Sequence, residues 1–197
     1  MLNLPVRAAL VAVAAGSVLA PVSATAETLK IDDGTSDAWE QVFASQTSGP
    51  SYVEAGSPVN ADLTRTVVRH SARRVTVRSN FVKLTKNAEG VMMAAKIRTD
   101  EGLWRAALVF HDGSRKGAFM LKKRGEVSCT GLTKEVDFAH DAVQISVPRA
   151  CLSAPRWVQV TVAGGNYGEG ASGHSYIDVA GIAGHRFSHW SARIHRG

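Results

Sequence analysis

Residues Cys129–Cys151 read CTGLTKEVDFAHDAVQISVPRAC and hold the only two cysteines of the chain. Val143, Ile145 and Val147 alternate with Gln144 and Ser146, while Val136 and Phe138 alternate with Glu135 and Asp137. A period of two marks a strand with one buried face, so the stretch predicts two strands meeting around Ala139-His140-Asp141-Ala142. Both apolar sets must share a face, because a one-residue slip would turn one of them to solvent. The pattern predicts Phe138 opposite Val143 and Val136 opposite Ile145, with Glu135, Asp137, Gln144 and Ser146 outside. Continued past Pro148, which ends the ladder, this register sets Cys129 opposite Leu152, one residue from Cys151. A small rearrangement there closes a disulfide, which stabilises a loop of this length by about 3 kcal/mol in the chain-entropy model.

The N-terminus supports that pairing. Arg7, the apolar run ALVAVAAGSVLA and the small residues Ala24-Thr25-Ala26 form the pattern of a secretory signal peptide over residues 1–26. An exported chain meets an oxidising compartment, which favours the disulfide over two free thiols. No apolar run is long enough to span a bilayer, so no membrane insertion is expected once the signal is removed. The formal net charge is +6. That favours anionic surfaces weakly and, without a nucleic-acid motif, does not point to nucleic acid.

A second hairpin is written into DLTRTVVRHSARRVTVRSNFVKL, from Asp62 to Leu84. Val75, Val77, Ser79 and Phe81 alternate with Arg74, Thr76, Arg78 and Asn80. With a His70-Ser71-Ala72-Arg73 loop, Val68 faces Val75 and Thr66 faces Val77, and the outer side pairs Arg69 with Arg74 and Arg65 with Arg78. Like charges directly opposite one another are destabilising, so these four arginines need partners. Glu135 and Asp137 of the other hairpin could neutralise them. Alternatively the four guanidinium groups receive an anion, which they bind in a bidentate fork.

The remaining segments continue the strand pattern. Val91, Met93, Ala95 and Ile97 alternate with Met92, Ala94, Lys96 and Arg98, Asp100-Glu101-Gly102 turns the chain, and Ala106, Leu108 and Phe110 or their neighbours carry the next strand. A turn at His111-Asp112-Gly113-Ser114 precedes GAFMLKKR, and WVQVTVAGG and Ser175–Val179 supply later strands, with one helical turn at Pro148–Leu152. Turn signals about every ten residues predict an all-β fold, an antiparallel, jelly-roll-like β-sandwich with one disulfide. The domain reading is a signal peptide at 1–26, a loop-rich lead-in at 27–61 containing a short strand at Thr28–Ile31, the sandwich at 62–180 and a loosely ordered basic, aromatic tail at 181–197. Gly164–Gly173 reads as a flexible loop carrying Tyr167.

The segments DLTRTVVRH, RRVTVRSNFVKL and PRACLSAPRWVQVTV, in this order behind a signal peptide, resemble a group of uncharacterised secreted bacterial proteins. Their arrangement is similar to the β-sandwich of family 9 carbohydrate-binding modules and DOMON domains. That resemblance implies a sandwich that binds sugar or haem, but no stacking aromatic or haem ligand of those families matches a position here.

Catalytic signatures are absent from the sequence: it has no Gly-X-Ser-X-Gly elbow, and both cysteines are committed to the disulfide. No carboxylate dyad stands out among 17 acidic residues. His185 and His189, with His195 nearby, have a spacing that could hold zinc or copper on a helix, though HRFSHW lacks a helix signature. His70, His111 and Met93 are weak haem ligands, and no cofactor or metal is expected. Asp32, Asp33 and Asp37 around Gly34 could hold calcium or form a solvated turn, and the turn is the favoured reading. Trp39, Trp104, Trp157, Trp190, Tyr52, Tyr167 and Tyr176 are stacking candidates, Tyr167 first among them because glycines flank it. The expectation is a secreted, extracellular, non-catalytic binding protein for a glycan or anionic cell-envelope polymer, with Arg65, Arg69, Arg74, Arg78 and Tyr167 as the ligand-binding residues. The alternatives are an inhibitor or scaffold that binds an exported protein, and an undetected hydrolase.

Overall fold

The computed structural model describes residues 26–43, 49–57, 59–85, 90–111, 116–167 and 174–197, with Tyr167 described in its backbone only. The expected export signal therefore lies outside the described residues except for Ala26. So does Asp112-Gly113-Ser114 of the turn after His111. Thirteen strands are described: β1 Glu27–Asp32, β2 Trp39–Val42, β3 Ser51–Glu54, β4 Leu63–His70, β5 Arg74–Phe81, β6 Gly90–Thr99, β7 Gly102–Phe110, β8 Ala118–Lys122, β9 Thr133–Asp137, β10 Ala142–Pro148, β11 Trp157–Tyr167, β12 Ser175–Val179 and β13 Ile194–His195. A 3-10 turn at Arg149–Leu152 follows β10, where Pro148-Arg149-Ala150 predicted one.

The strands form two antiparallel sheets packed face to face, a β-sandwich. One sheet has the order β1-β4-β5-β10-β9 and the other β3-β2-β12-β11-β6-β7-β8, with β13 also pairing β11. The period-two patterns bury the sides they predict: Val91, Met93, Ala95 and Ile97 of β6 and Ala106, Leu108 and Phe110 of β7 meet Val68, Val75, Val77, Ile145 and Val147 of the other sheet. Full burial of each Val, Leu, Ile, Met or Phe among them contributes roughly 1.5–3 kcal/mol. Cys129 and Cys151 are bonded, with Cα atoms 5.8 Å apart.

Both hairpins pair two residues away from the register the alternation predicts. In the disulfide hairpin Val143 faces Val136, Gln144 faces Glu135 and Ala142 faces Asp137. Phe138 moves into the turn and sets its ring edge-on to Phe110, 6.1 Å between centroids. In the arginine hairpin Val68 faces Val77 and His70 faces Val75. A two-residue slip leaves every side chain on its face, so hydrophobic pattern cannot choose between the registers. Turn chemistry can. Asp137 Oδ1 accepts the Ala139 N–H at 3.1 Å, and Ser71 Oγ accepts the Arg73 and Arg74 N–H groups at 3.3 and 3.0 Å. These side chains cap turns that exist only in the observed registers.

The sheets also draw on residues outside 62–180. The lead-in supplies β1 to one sheet and β2 and β3 to the other. The tail is docked: β12 pairs with β11 over Ala163–Asn166, and the tail fills the remaining edge of β11. Ser191 N–H donates to the Val160 carbonyl, Ile194 pairs with Val158, and the Ile194 side chain is buried. Gly164 and Gly165 are strand residues and not part of a loop. A Cβ on Gly164 would stand 2.5 Å from the Ala61 carbonyl oxygen, so this glycine permits close approach of the chain entering β4.

Candidate functional site

The register decides what the four hairpin arginines can do. Across the outer face of the smaller sheet, Arg69 lies between Thr28 and Thr76, Arg78 between Val67 and Gln144, and Arg65 between Asp32 and Asn80. No arginine faces another, which corrects the predicted Arg69–Arg74 and Arg65–Arg78 pairs and removes their repulsion. Arg65 Nε meets Asp32 Oδ1 at 2.6 Å. Arg78 lies 3.9 Å from Asp137, one of the two acids expected to neutralise it. Arg74 points along the strand ends: its Nε donates to Ser146 Oγ at 2.7 Å, and its terminal nitrogen donates to the Gly131 and Ser146 carbonyls and to Thr133 Oγ1. It thereby ties β5 to the chain leading from Cys129. Among the described residues only Arg69 of the four has no ion pair or hydrogen bond from its side chain, and it is exposed.

A different cationic row crosses the outer face of the larger sheet. Lys122 of β8 faces Arg105 of β7, Arg105 faces Lys96 of β6, and Lys96 faces Thr161 of β11. The next row reads Met120, Ala107, Ala94 and Ala163, small and apolar. Among the described residues no ion pair reaches Lys96, Arg105 or Lys122. Burial, and then Arg105 beside it, lowers the Lys96 pKa. Lys123 and Arg124 continue the charge around an open depression of about 760 Å3 that Arg105 also lines, with Glu101 and Glu126 at its rim.

The tail covers one end of this face. Lys96 Nζ sits 4.5 Å over the Phe187 ring, Arg98 4.0 Å over Trp190, and Arg193 4.4 Å over Trp157. His185 stacks on Tyr52 at 4.0 Å and meets Trp39 edge-on at 5.0 Å. Trp104 is buried. The tryptophans are thus core residues or partners of the protein's own cations and rings. For Tyr167 the structure gives only a β11 position opposite Gly90; its side chain lies outside the described residues. His185 in its stack and His195 in β13 occupy separate places. Met93 is sealed in the core. His70 is buried with Nδ1 3.0 Å from the Ile194 carbonyl.

The carboxylates near Gly34 divide. Asp32 turns to Arg65, whereas Asp33 and Asp37 turn inward and meet two acids remote in sequence. Asp62, just before β4, and Asp178, in β12, are both fully buried. Ligand-capable oxygens of Asp37, Asp62 and Asp178 all lie within 4.8 Å of one another, and among the described residues this is the one group of side chains close enough to share a metal ion. Three of the acids are held by backbone donors: Ser36 N–H to Asp62 Oδ2 at 2.7 Å, Leu63 N–H to Asp178 Oδ2 at 2.7 Å, and Gly181 N–H to Asp33 Oδ1 at 3.0 Å. Burial, with the neighbouring carboxylates adding to it, pushes Asp178 up to about 8 and Asp33 up to about 6. Asp62 is raised for the same first reason. Spacing around Gly34 pointed to two members of this cluster, and nothing local marked Asp62 or Asp178.

Neither a protein-family model nor a curated protein matches this chain.

Proposed function

We propose that the protein is a non-catalytic binding module acting outside the cytoplasm, and that it takes an anionic glycan or other acidic envelope polymer on the outer face of the larger sheet. The observation that carries this reading is the Lys96–Arg105–Lys122 row, three cations in register on three adjacent strands. Among the described residues Glu126 bridges Lys122 on its far side without an ion pair and Lys96 Nζ donates to the Phe187 carbonyl at 2.5 Å, so Arg105 and Lys122 are the open members of the row. Natural sheets avoid like charges side by side because they repel, and a bound polyanion converts that repulsion into attraction. The flat Ala94–Ala107–Met120 row beside it lets an extended chain lie close to the sheet. The disulfide and the signal-peptide pattern support export, and the likeness to carbohydrate-binding modules supports a sugar polymer. The hairpin arginines are weaker candidates, since Arg65, Arg74 and Arg78 already serve neighbours within the fold.

The test is retention of the oxidised protein on insoluble glycans and cell-wall material at low and high salt. Retention should fall as salt screens exposed charge, and Arg105→Glu with Lys122→Glu should abolish it while Arg69→Glu leaves it intact. Loss with Arg69→Glu alone would return the site to the arginine hairpin. Absence of retention under all conditions would favour the second reading, a protein partner. That reading rests on Val42, Phe43 and Val53, exposed large apolar residues on and beside the β2–β3 edge hairpin.

A further inference from the structure

We propose that Asp33, Asp37, Asp62 and Asp178 form a binding site for one calcium ion, which clasps the two sheets together. The inference is independent of the polymer-binding reading. It begins from the orphaned oxygens. Asp62 and Asp178 are fully buried, and each uses only one carboxylate oxygen on a backbone N–H. The other oxygen of each, Oδ1, is sealed from solvent and has no hydrogen-bond partner, and the same holds for Asp33 Oδ2 and Asp37 Oδ1. Four acceptor atoms, one from each acid, are therefore left without a donor, and three of the acids, Asp37, Asp62 and Asp178, bring ligand oxygens within 4.8 Å of one another.

Buried polar groups are almost always satisfied, and buried charges are paired or bind metal. Among the described residues no Lys, Arg or His forms an ion pair with any of the four. A divalent cation supplies the missing partner to Asp37, Asp62 and Asp178 at once, with Asp33 beside it adding charge.

The donor set and spacing specify the ion. An all-oxygen carboxylate site selects hard cations over zinc or copper. Calcium binds oxygen at about 2.3–2.6 Å, which sets opposite ligands roughly 4.6–5.2 Å apart, whereas magnesium at about 2.0–2.1 Å sets them roughly 4.0–4.2 Å apart. Ligand oxygens of Asp37, Asp62 and Asp178 lie within 4.8 Å of one another, close enough to share one ion, and three protein carboxylates on one ion favour calcium, because magnesium keeps several waters and takes only one or two carboxylates. Asp33 stands beside them, close enough to interact electrostatically with Asp37 and Asp62. The fold gives the site its purpose. Asp33 follows β1 and Asp62 precedes β4, both of the smaller sheet, while Asp37 precedes β2 and Asp178 lies in β12, both of the larger. One ion thereby links four points, as far apart in the chain as Asp33 and Asp178, that otherwise repel.

The experiment is calorimetric titration of calcium chloride, and separately magnesium chloride, into the oxidised protein freed of metal by chelator, with thermal unfolding at each metal concentration. The expected result is one calcium per chain, weaker binding of magnesium, and an unfolding temperature that rises with calcium. Asp178→Asn keeps an acceptor for the Leu63 N–H and removes one charge. In chelator it should unfold no earlier than the parent, and it should lose the calcium-dependent rise. Asp37→Asn, at the least buried corner, should lose the rise as well. The proposal is overturned if calcium produces neither heat nor a shift at millimolar concentration, in which case protons hold the cluster. It is equally overturned if magnesium binds more tightly, or if both variants keep the full calcium response, which would place the ion elsewhere.

Discussion

Arg74 shows how one side chain can change meaning once its neighbours are known. In the chain it is one of a run of cations; in the fold it is half-buried and bonded to Ser146, Thr133 and Gly131. A hydrogen bond from a charged donor contributes about 1.5–3 kcal/mol, and truncation leaves the carbonyls of Gly131 and Ser146 without it. Arg74→Ala should therefore lower the unfolding free energy by about 2 kcal/mol, read from the urea midpoint at unchanged slope. Arg69→Ala, at the exposed and unpaired position, should stay within about 0.5 kcal/mol of the parent. Equal effects would mean that the clamp contributes nothing. Asp32 and Asp33 make the same point as neighbours: strand alternation sends one to Arg65 at the surface and the other inward.

At the scale of elements, β11 is the spine of the larger sheet, paired to β6 along one side and to β12 and β13 in turn along the other. Its central glycine is a packing device. Added atoms at Gly164 would meet the Ala61 carbonyl at 2.5 Å and the Phe81 ring at 2.8 Å, both fixed parts of the opposing layer. Gly164→Ala should cost about 1–3 kcal/mol through overpacking, while Gly125→Ala, with nothing within 4 Å, should be close to neutral. Thermal midpoints of the two variants check this, and a Gly164→Ala midpoint equal to the parent's would show that the layers can separate without cost. The tail belongs to the same scale. Its basic, aromatic sequence predicts a loosely ordered end, yet Ile194 completes the core and the basic residues of the sheet stack on its aromatic rings.

Over the whole molecule, His70 couples stability to pH. It sits where β4 meets the chain end, its ring bonded to the Ile194 carbonyl and its own carbonyl accepting the Gly197 N–H at 3.2 Å. Nδ1 donates to that carbonyl, so a second proton would go to Nε2, which is buried without a partner. Burial is the largest cause lowering its pKa below the ordinary 6.5, opposed in part by the Ile194 bond. The unfolded chain then binds the proton more readily than the folded one. The stability His70 confers is complete above about pH 6.5 and is lost as pH falls below it toward the folded value. Asp33 and Asp178 act in the opposite sense as they take up protons, so the measurement is a comparison. In urea unfolding at pH 7.5 and 5.5 the change in stability should be more favourable in His70→Gln, whose amide can still donate, than in the parent, and an equal change in both would clear His70 of the effect.

Alternation of Val and Ile with polar residues was enough to determine strand faces and the sandwich class, and the two cysteines and Pro148 were enough for the disulfide and the 3-10 turn, because these depend on local periodicity and on residue type. What alternation leaves undetermined is any property unchanged by a two-residue slip. Register was therefore decided in the folded chain, by Ser71 and Asp137 capping their turns, and with register went the isolation of each hairpin arginine from the next. The cationic row of Lys96, Arg105 and Lys122 and the cluster of Asp33, Asp37, Asp62 and Asp178 have no sequence signature for a related reason. Their members come from different strands and loops, and only the pairing of sheets brings such distant charges within the few ångströms over which they act on one another.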